Sequence, residues 1–269
     1  MTQAQALTIS QLEKAAESDG SYSGVSNLYY SGVVETPFSE FRKRVLDHDD
    51  AVYRDLFGGK VFILKNAYPK EEVLKLRKAI HEFGQSTPSS FHKIQGDVPN
   101  FHNINEANTL YKILMRVHSY HFFSWNDNPV DIIQCVFEAL EVYETLCEQE
   151  PSKIIYNTCA DDIVARIQVH QYPLGGGHIQ LHRDTTEVAK VAMIMMMTKV
   201  GVDYESGGLY FLDMSGDKFH PESLLDVGDI VVFYPMLLHG VEAVDTGKTS
   251  EWASEAGRWT LLFNNRPVA

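Results

Sequence analysis

Cysteine is scarce in this chain, with three in 269 residues (Cys135, Cys147 and Cys159), and no two stand in a CxxC pair. Neither a disulfide framework nor a thiolate zinc site is indicated, and buried or inert thiols are expected. Basic residues are also few: 23 Lys and Arg face 36 Asp and Glu, a formal net charge of −13. A surface of that sign repels phosphate backbones and anionic lipid, so neither nucleic acid nor a membrane is an expected partner. No apolar run is long enough to span a bilayer. The opening MTQAQALTISQLEKAAESDG lacks the basic start and apolar stretch of a secretory signal, so the expected location is the cytoplasm.

What the chain does have is 44% hydrophobic residues, enough for one substantial core, and two halves of different period. Residues 1–25 are polar and rich in Ser, Gln and Gly, and predict a loosely ordered tail. The remainder, 26–269, predicts a single domain. Its first part, to about residue 160, is predicted to be mainly helical. FSEFRKRVLDHDDAVYRDLF (around 37–56) and PKEEVLKLRKAIHEFG (69–84) have helical spacing, the latter with Pro69 near its start and Gly84 at its end. KVFILKN between them predicts a short strand. PVDIIQCVFEALEVYETLCEQ (129–149) predicts an amphipathic helix with Ile132, Ile133, Val136, Leu140, Val142 and Leu146 toward one side. SSFHKIQGDVPNFHN predicts a long loop before the second part, in which Phe91, His92, Phe101 and His102 could close over a site. VHSYHFFSW could be a strand.

From about 161 the pattern turns to strand: IVARIQVHQY, HIQLHRD, VAKVAMIMMMTKV, GGLYFLD, DIVVFYP and RWTLLFNN, parted by Gly, Asp and Ser clusters. Such a series predicts a double-sheet jelly roll, and the whole an α+β protein with N-terminal helices packed on that core.

Three positions in the strand half carry chemistry. In LHRDTT, His182 and Asp184 lie two apart, so on a strand they share a face while Arg183 points away. An imidazole and a carboxylate so placed are two of the three ligands of the facial arrangement used by oxygen-activating ferrous iron. A third donor is His239, in the strongly apolar DIVVFYPMLLHGVEAV, a costly setting for an idle imidazole. Nineteen residues on, GRWTLLF puts Arg258 and Thr260 on one face of a terminal strand, a guanidinium and a hydroxyl suited to gripping a carboxylate. Counting back by twos from Tyr172 gives His170, Gln168 and Arg166, a polar row for a pocket or for mutual pairing. Lys248 is a rival cation in a polar loop. His178, four before His182, would need a helix to make an HxxxH zinc pair. Met193, Met195 and Met197 alternate and could line a pocket if they face inward.

Taken together, HxD, a distal His and Arg-x-Thr in that order resemble the iron(II)/2-oxoglutarate-dependent dioxygenase superfamily over about residues 163–266. Tyr172, ten residues before His182, is similar to the spacing of its prolyl-hydroxylase-like members, and ESGGLYFLD and VGDIVVF resemble its strands around the metal motif. The resemblance implies a double-stranded β-helix with Fe(II) on His182, Asp184 and His239. It further implies 2-oxoglutarate held by Arg258, Thr260 and Tyr172, and O2 as the oxidant. The implied reaction is hydroxylation of an unactivated C–H bond with release of succinate and carbon dioxide, and the compact acidic chain favours as substrate a small molecule, an amino acid derivative or natural-product intermediate. Asp184 stands where related halogenases carry a small residue, which favours hydroxylation. Arg166, Gln168, His170, Phe101 and His102 are the candidate substrate contacts. A cupin-like metalloenzyme without 2-oxoglutarate and a non-catalytic binding jelly roll are the alternatives.

Overall fold

Strands from both halves of the chain build the core. A computed structural model describes residues 7–19, 28–94, 97–106, 113–152 and 163–267. Near the N-terminus come α1 (Ile9–Asp19), β1 (Gly32–Pro37), α2 (Phe38–Leu46), α3 (Asp50–Phe57), β2 (Lys60–Lys65) and α4 (Lys70–Ser86). β3 (Phe101–Glu106), β4 (Met115–Phe123), α5 (Ile132–Cys135) and α6 (Phe137–Leu146) follow. The second half supplies β5 (Ile163–Tyr172), β6 (Gly177–His182), β7 (Ala192–Met196), β8 (Gly208–Leu212), β9 (Lys218–Phe219), β10 (Ile230–Phe233), β11 (His239–Val244) and β12 (Arg258–Pro267).

The order β1-β2-β10-β7-β12-β5 forms one layer and β6-β11-β8-β9 the other, with β4 joining β5 to β6 and carrying β3 on its free side. That is a double-stranded β-helix, the jelly roll expected from the strand pattern. Alternation along β12 divides its residues between two environments. Trp259, Leu261 and Phe263 join the main apolar core with the helices: Trp259 meets His81 of α4 edge-on, and Phe263 meets Tyr143 of α6. Burying each such side chain contributes about 1.5–3 kcal/mol. The intervening Arg258 and Thr260 turn into the barrel.

Several expectations are corrected. Of the segment expected to be a loose tail, Ile9–Asp19 is helical. Ile9 is buried, and Glu13 accepts from both Lys190 and Tyr234, which ties α1 to the strand half. Residues 1–6 and 20–25 of that segment lie outside the described residues. The part expected to be mainly helical contributes four strands, β1 to β4, and Phe101 and His102 belong to β3 rather than to a loop. The helix expected over 37–56 is two, interrupted where His48 takes φ 54° and Asp49 caps α3 by accepting from Ala51. The helix expected over 129–149 is broken by left-handed Val130 and Asp131 and again at Val136, where φ is −116°. Gly84 lies inside α4 rather than ending it. A Cβ there would come 2.6 Å from the Tyr120 ring, so glycine lets the helix approach β4. The β7–β12 register sets Met193 and Met195 opposite Phe263 and Leu261 on the helix-side face, which Met197 shares by alternation, whereas Met196, opposite Thr260, turns into the barrel toward Arg258.

Glu144 of α6 illustrates the cost of burial. Its Oε2 accepts from Asn265 Nδ2 at 2.7 Å, its Oε1 has no partner among the described residues, and burial pushes the carboxyl up to about 8. An acid raised on folding binds more protons folded than unfolded between its two values. Its stability contribution is therefore full near its ordinary value of 4.5 and below, and is lost as pH rises toward 8. Glu144→Gln is expected to stabilise the protein at pH 8, by a few kcal/mol at most, and to change it little at pH 4.5. Urea unfolding at the two pH values reads this difference directly.

Candidate metal centre

The β6–β11 ladder places His182 directly opposite His239. Their rings lie 4.4 Å apart between centroids. Asp184, just past the end of β6, is brought back by two straps to the turn before β11: its amide donates to Pro235 O at 3.0 Å, and Arg183 Nε donates to Met236 O at 3.1 Å. Arg183 then points away, its guanidinium over Tyr29, as the strand period predicts. His182 Nε2 lies 3.7 Å from Asp184 Oδ1, and His239 Nε2 lies 3.6 Å from Asp184 Oδ2. One donor atom from each of the three residues fits within 4.8 Å of the others.

The imidazoles have the hydrogen bonding that a metal ligand needs. Each Nδ1 sits 2.8 Å from a main-chain carbonyl, Gln180 O for His182 and Leu237 O for His239. A carbonyl can only accept, so each proton lies on Nδ1 and each Nε2 lone pair faces Asp184. Burial, and then His182, lower His239 to about 4 against the opposing pull of Asp184. Phe233 packs edge-on to the His239 ring at 4.9 Å, screening that side of the centre from water. Asp184 is half exposed, so the centre opens to solvent through its carboxylate.

Beneath this centre lies a second polar group. Val241, two residues past His239 and so about 6–7 Å along the strand, packs in one small cluster with Tyr172 and Tyr204. The Tyr172 ring in turn lies 5.0 Å from the Arg258 guanidinium, and Arg258 pairs with Tyr172 across the β5–β12 ladder. Arg258 is 1% exposed. Burial alone would lower it, but Glu222, Tyr204 and Tyr172 outweigh that and raise it. Burial pushes the Tyr172 hydroxyl up to about 12, with Arg258 opposing. Thr260 is buried on the same strand face as Arg258. The rival Lys248 is half exposed and paired with Asp245 at 2.9 Å, whereas Arg258 is buried. Sequence reasoning missed Glu222, whose Oε1 lies 2.7 Å from Arg258 Nη2.

The polar row of β5 pairs along itself. Arg166 Nη2 donates to Gln168 Oε1 at 2.7 Å, Gln168 Nε2 meets His170 Nε2 at 2.7 Å, and His170 Nδ1 lies 3.3 Å from the Tyr172 hydroxyl. Burial, then Arg166 and Arg258, lower His170 to about 3. The ladders extend this face across β4 and β3: Ser119 pairs with His170, His121 with Gln168, and Asn103 with Ser119. His121 Nε2 lies 3.1 Å from Asn103 Oδ1, and Phe101 stacks on His121 at 4.3 Å. His121 Nδ1 and Asn105 Oδ1, both buried, have no hydrogen-bond partner among the described residues. The sequence carried a signal for these residues, the alternation N-x-N in β3 and S-x-H in β4. His102 faces the other way, with its ring nitrogens 2.7 Å from His118 Nε2 and 2.6 Å from Thr87 O, beside Phe83 of α4. It is therefore apart from the face that carries His170. His178 lies in β6 with Nδ1 on Gly176 O at 2.9 Å, so no helix aligns it with His182.

No family model matches the chain, and no curated protein matches it in sequence. Solved structures do. A prolyl-4-hydroxylase of Pseudomonas putida superposes with a TM-score of 0.50 at 14% identity, over 81% of this chain and 98% of its own. The fold is that of the 2-oxoglutarate and iron(II) oxygenases. A protein of Caulobacter crescentus described as of the 2OG-Fe(II) oxygenase family also superposes with a TM-score of 0.50, at 11% identity, over 86% of this chain and 85% of its own. Identities this low speak to the fold of these oxygenases, and the chemistry must be argued from the side chains. Among the described residues, no helix is long and apolar enough to cross a membrane.

Proposed function

We propose that this chain is an iron(II)- and 2-oxoglutarate-dependent oxygenase that hydroxylates a C–H bond of a small polar molecule. The observation that carries the reading is the convergence of two Nε2 lone pairs and one carboxylate at the mouth of the barrel. Two imidazoles and one carboxylate on a single face suit ferrous iron and leave its other positions open. When bound, iron, 2-oxoglutarate and O2 together supply the oxidising power, and the co-substrate leaves as succinate and carbon dioxide.

The chain's own residues bind and orient. The carbonyls of Gln180 and Leu237 hold both imidazoles in the ligating tautomer. Arg258, Tyr172 and Thr260 would hold the distal carboxylate of the co-substrate, one layer below His239. Of these, Arg258 already carries a carboxylate, that of Glu222, which supports its part in the reading. Arg166, Gln168, His170 and Phe101, joined by His121, Asn103 and Asn105, form the substrate wall. Burial holds His121 well below its usual value, with Arg166, His170 and Arg266 adding to it, so both imidazoles of the wall are neutral. Neutral imidazoles, amides and one guanidinium suit a molecule rich in hydrogen-bonding groups and carrying no net positive charge. His102, turned under α4, is not part of this wall. With Asp184 present as a ligand, hydroxylation rather than halogenation is expected.

Anaerobic titration with Fe(II) and then 2-oxoglutarate tests the proposal. A weak visible charge-transfer band that appears only with both present is expected, followed in air by succinate release over a panel of small polar substrates. Iron binding with no response to 2-oxoglutarate would favour a cupin-like metalloenzyme. A protein that binds small molecules but no metal would be a non-catalytic jelly roll.

A further inference from the structure

The carboxylate position on Arg258 is filled by the chain itself. Glu222 lies in the short turn Pro221–Leu224 between β9 and β10. Its Oε1 accepts from Arg258 Nε at 2.9 Å, from Arg258 Nη2 at 2.7 Å and from the Leu209 amide at 2.7 Å, while the Tyr204 hydroxyl donates to its Oε2. Glu222 is 5% exposed. The backbone is shaped around it: Gly208 has φ +114°, and a Cβ there would fall 2.6 Å from Glu222 Cγ. A contact with this many donors is built into the fold.

We propose that Glu222 sets how tightly, and how selectively, the co-substrate is held, by competing with its distal carboxylate for Arg258. This rests on the 2-oxoglutarate reading above. Two carboxylates brought to one guanidinium in a dry site repel each other, so the co-substrate either shares a cation that is already neutralised or takes it from Glu222. In both geometries the negative charge of Glu222 opposes binding of a second carboxylate and is indifferent to a tail that carries none. The wild-type protein is therefore expected to prefer 2-oxoglutarate to 2-oxopentanoate, which has the same chain length but no distal carboxylate, by a smaller margin than a variant without the Glu222 charge.

Calorimetric titration of the Mn(II)-loaded protein, which binds without turnover, tests this with both oxo acids. Glu222→Gln keeps the size and an acceptor for Arg258 while removing the charge. It is expected to tighten 2-oxoglutarate about tenfold or more, and to change 2-oxopentanoate by less than about threefold. Its Mn(II) affinity is expected to equal that of wild type. Tyr204→Phe withdraws one donor from Glu222 and leaves the Arg258 pair intact. It gives an independent reading should Glu222→Gln fail to fold, with an expected gain of about two- to fivefold for 2-oxoglutarate. Unchanged or weaker 2-oxoglutarate binding in these variants would overturn the inference and make Glu222 a positioning residue for Arg258. Mn(II) binding with neither oxo acid bound by any of the three proteins would instead remove the 2-oxoglutarate reading, and this inference with it.

Discussion

His239→Ala is expected to lower Mn(II) or Fe(II) affinity by more than about 100-fold, since loss of a mere outer partner of a metal ligand already costs about 10- to 100-fold. The residue supplies one of only three donors, and its Nδ1 bond to Leu237 O leaves Nε2 no other task than facing Asp184. The fold should survive. The imidazole is buried and neutral, so its removal leaves an apolar gap beside Phe233 and Phe211 rather than an unpaired charge, at a cost of about 2–3 kcal/mol. His178→Ala is the matched control: it sits on the same strand as His182 but bonds Gly176 O, and metal affinity should not change. Isothermal titration with Mn(II) at neutral pH separates the two. Equal affinity in His239→Ala and wild type would end the metal reading.

Arg258→Ala is expected to produce two separable losses. The first is 2-oxoglutarate binding, which should fall below detection while Mn(II) still binds. A cupin-like enzyme that dispenses with the co-substrate would instead keep its turnover. The second is stability, by about 3–5 kcal/mol, because Glu222 is then a buried carboxylate without its cation. Only the Leu209 amide and the Tyr204 hydroxyl would still serve it. Restoring neutrality should repair the second loss but not the first. A double variant, Arg258→Met with Glu222→Leu, is expected to recover most of the stability in urea unfolding and none of the co-substrate binding. If Arg258→Ala unfolds at the same urea concentration as wild type, the buried ion pair is not the feature that holds this end of the barrel.

The convergence of His182, Asp184 and His239 was legible because its information is local and ordered. A strand places residues two apart on one face, so His-x-Asp already specifies two donors, and an imidazole in the apolar stretch before GVEAV supplies the third. The terminal Arg-x-Thr obeyed the same period. Met193, Met195 and Met197 show the limit of that rule. Alternation told which methionines share a face but not which face, and that was decided by the register of β7 against β12, where Thr260 pairs with Met196. The strand Phe101–Glu106 was hidden because FHNINE is polar where an ordinary strand is apolar, Asn103 lying across β4 on the face shared with His170. The breaks at His48, Val130 and Asp131 were hidden because residues other than glycine adopt the left-handed conformation there. Glu222 was hidden for a different reason. In PESLL it looks like a surface turn, and its partner lies 36 residues further on, joined to it only when the barrel closes.

The straps from Asp184 and Arg183 to the carbonyls of Pro235 and Met236 have a kinetic consequence. They fasten the loop bearing one ligand to the turn that launches another, using only main-chain acceptors that owe nothing to a bound ion. An emptied centre thus keeps its shape, and reloading should proceed at the pace of ion arrival and dehydration instead of waiting on any rearrangement of the polypeptide.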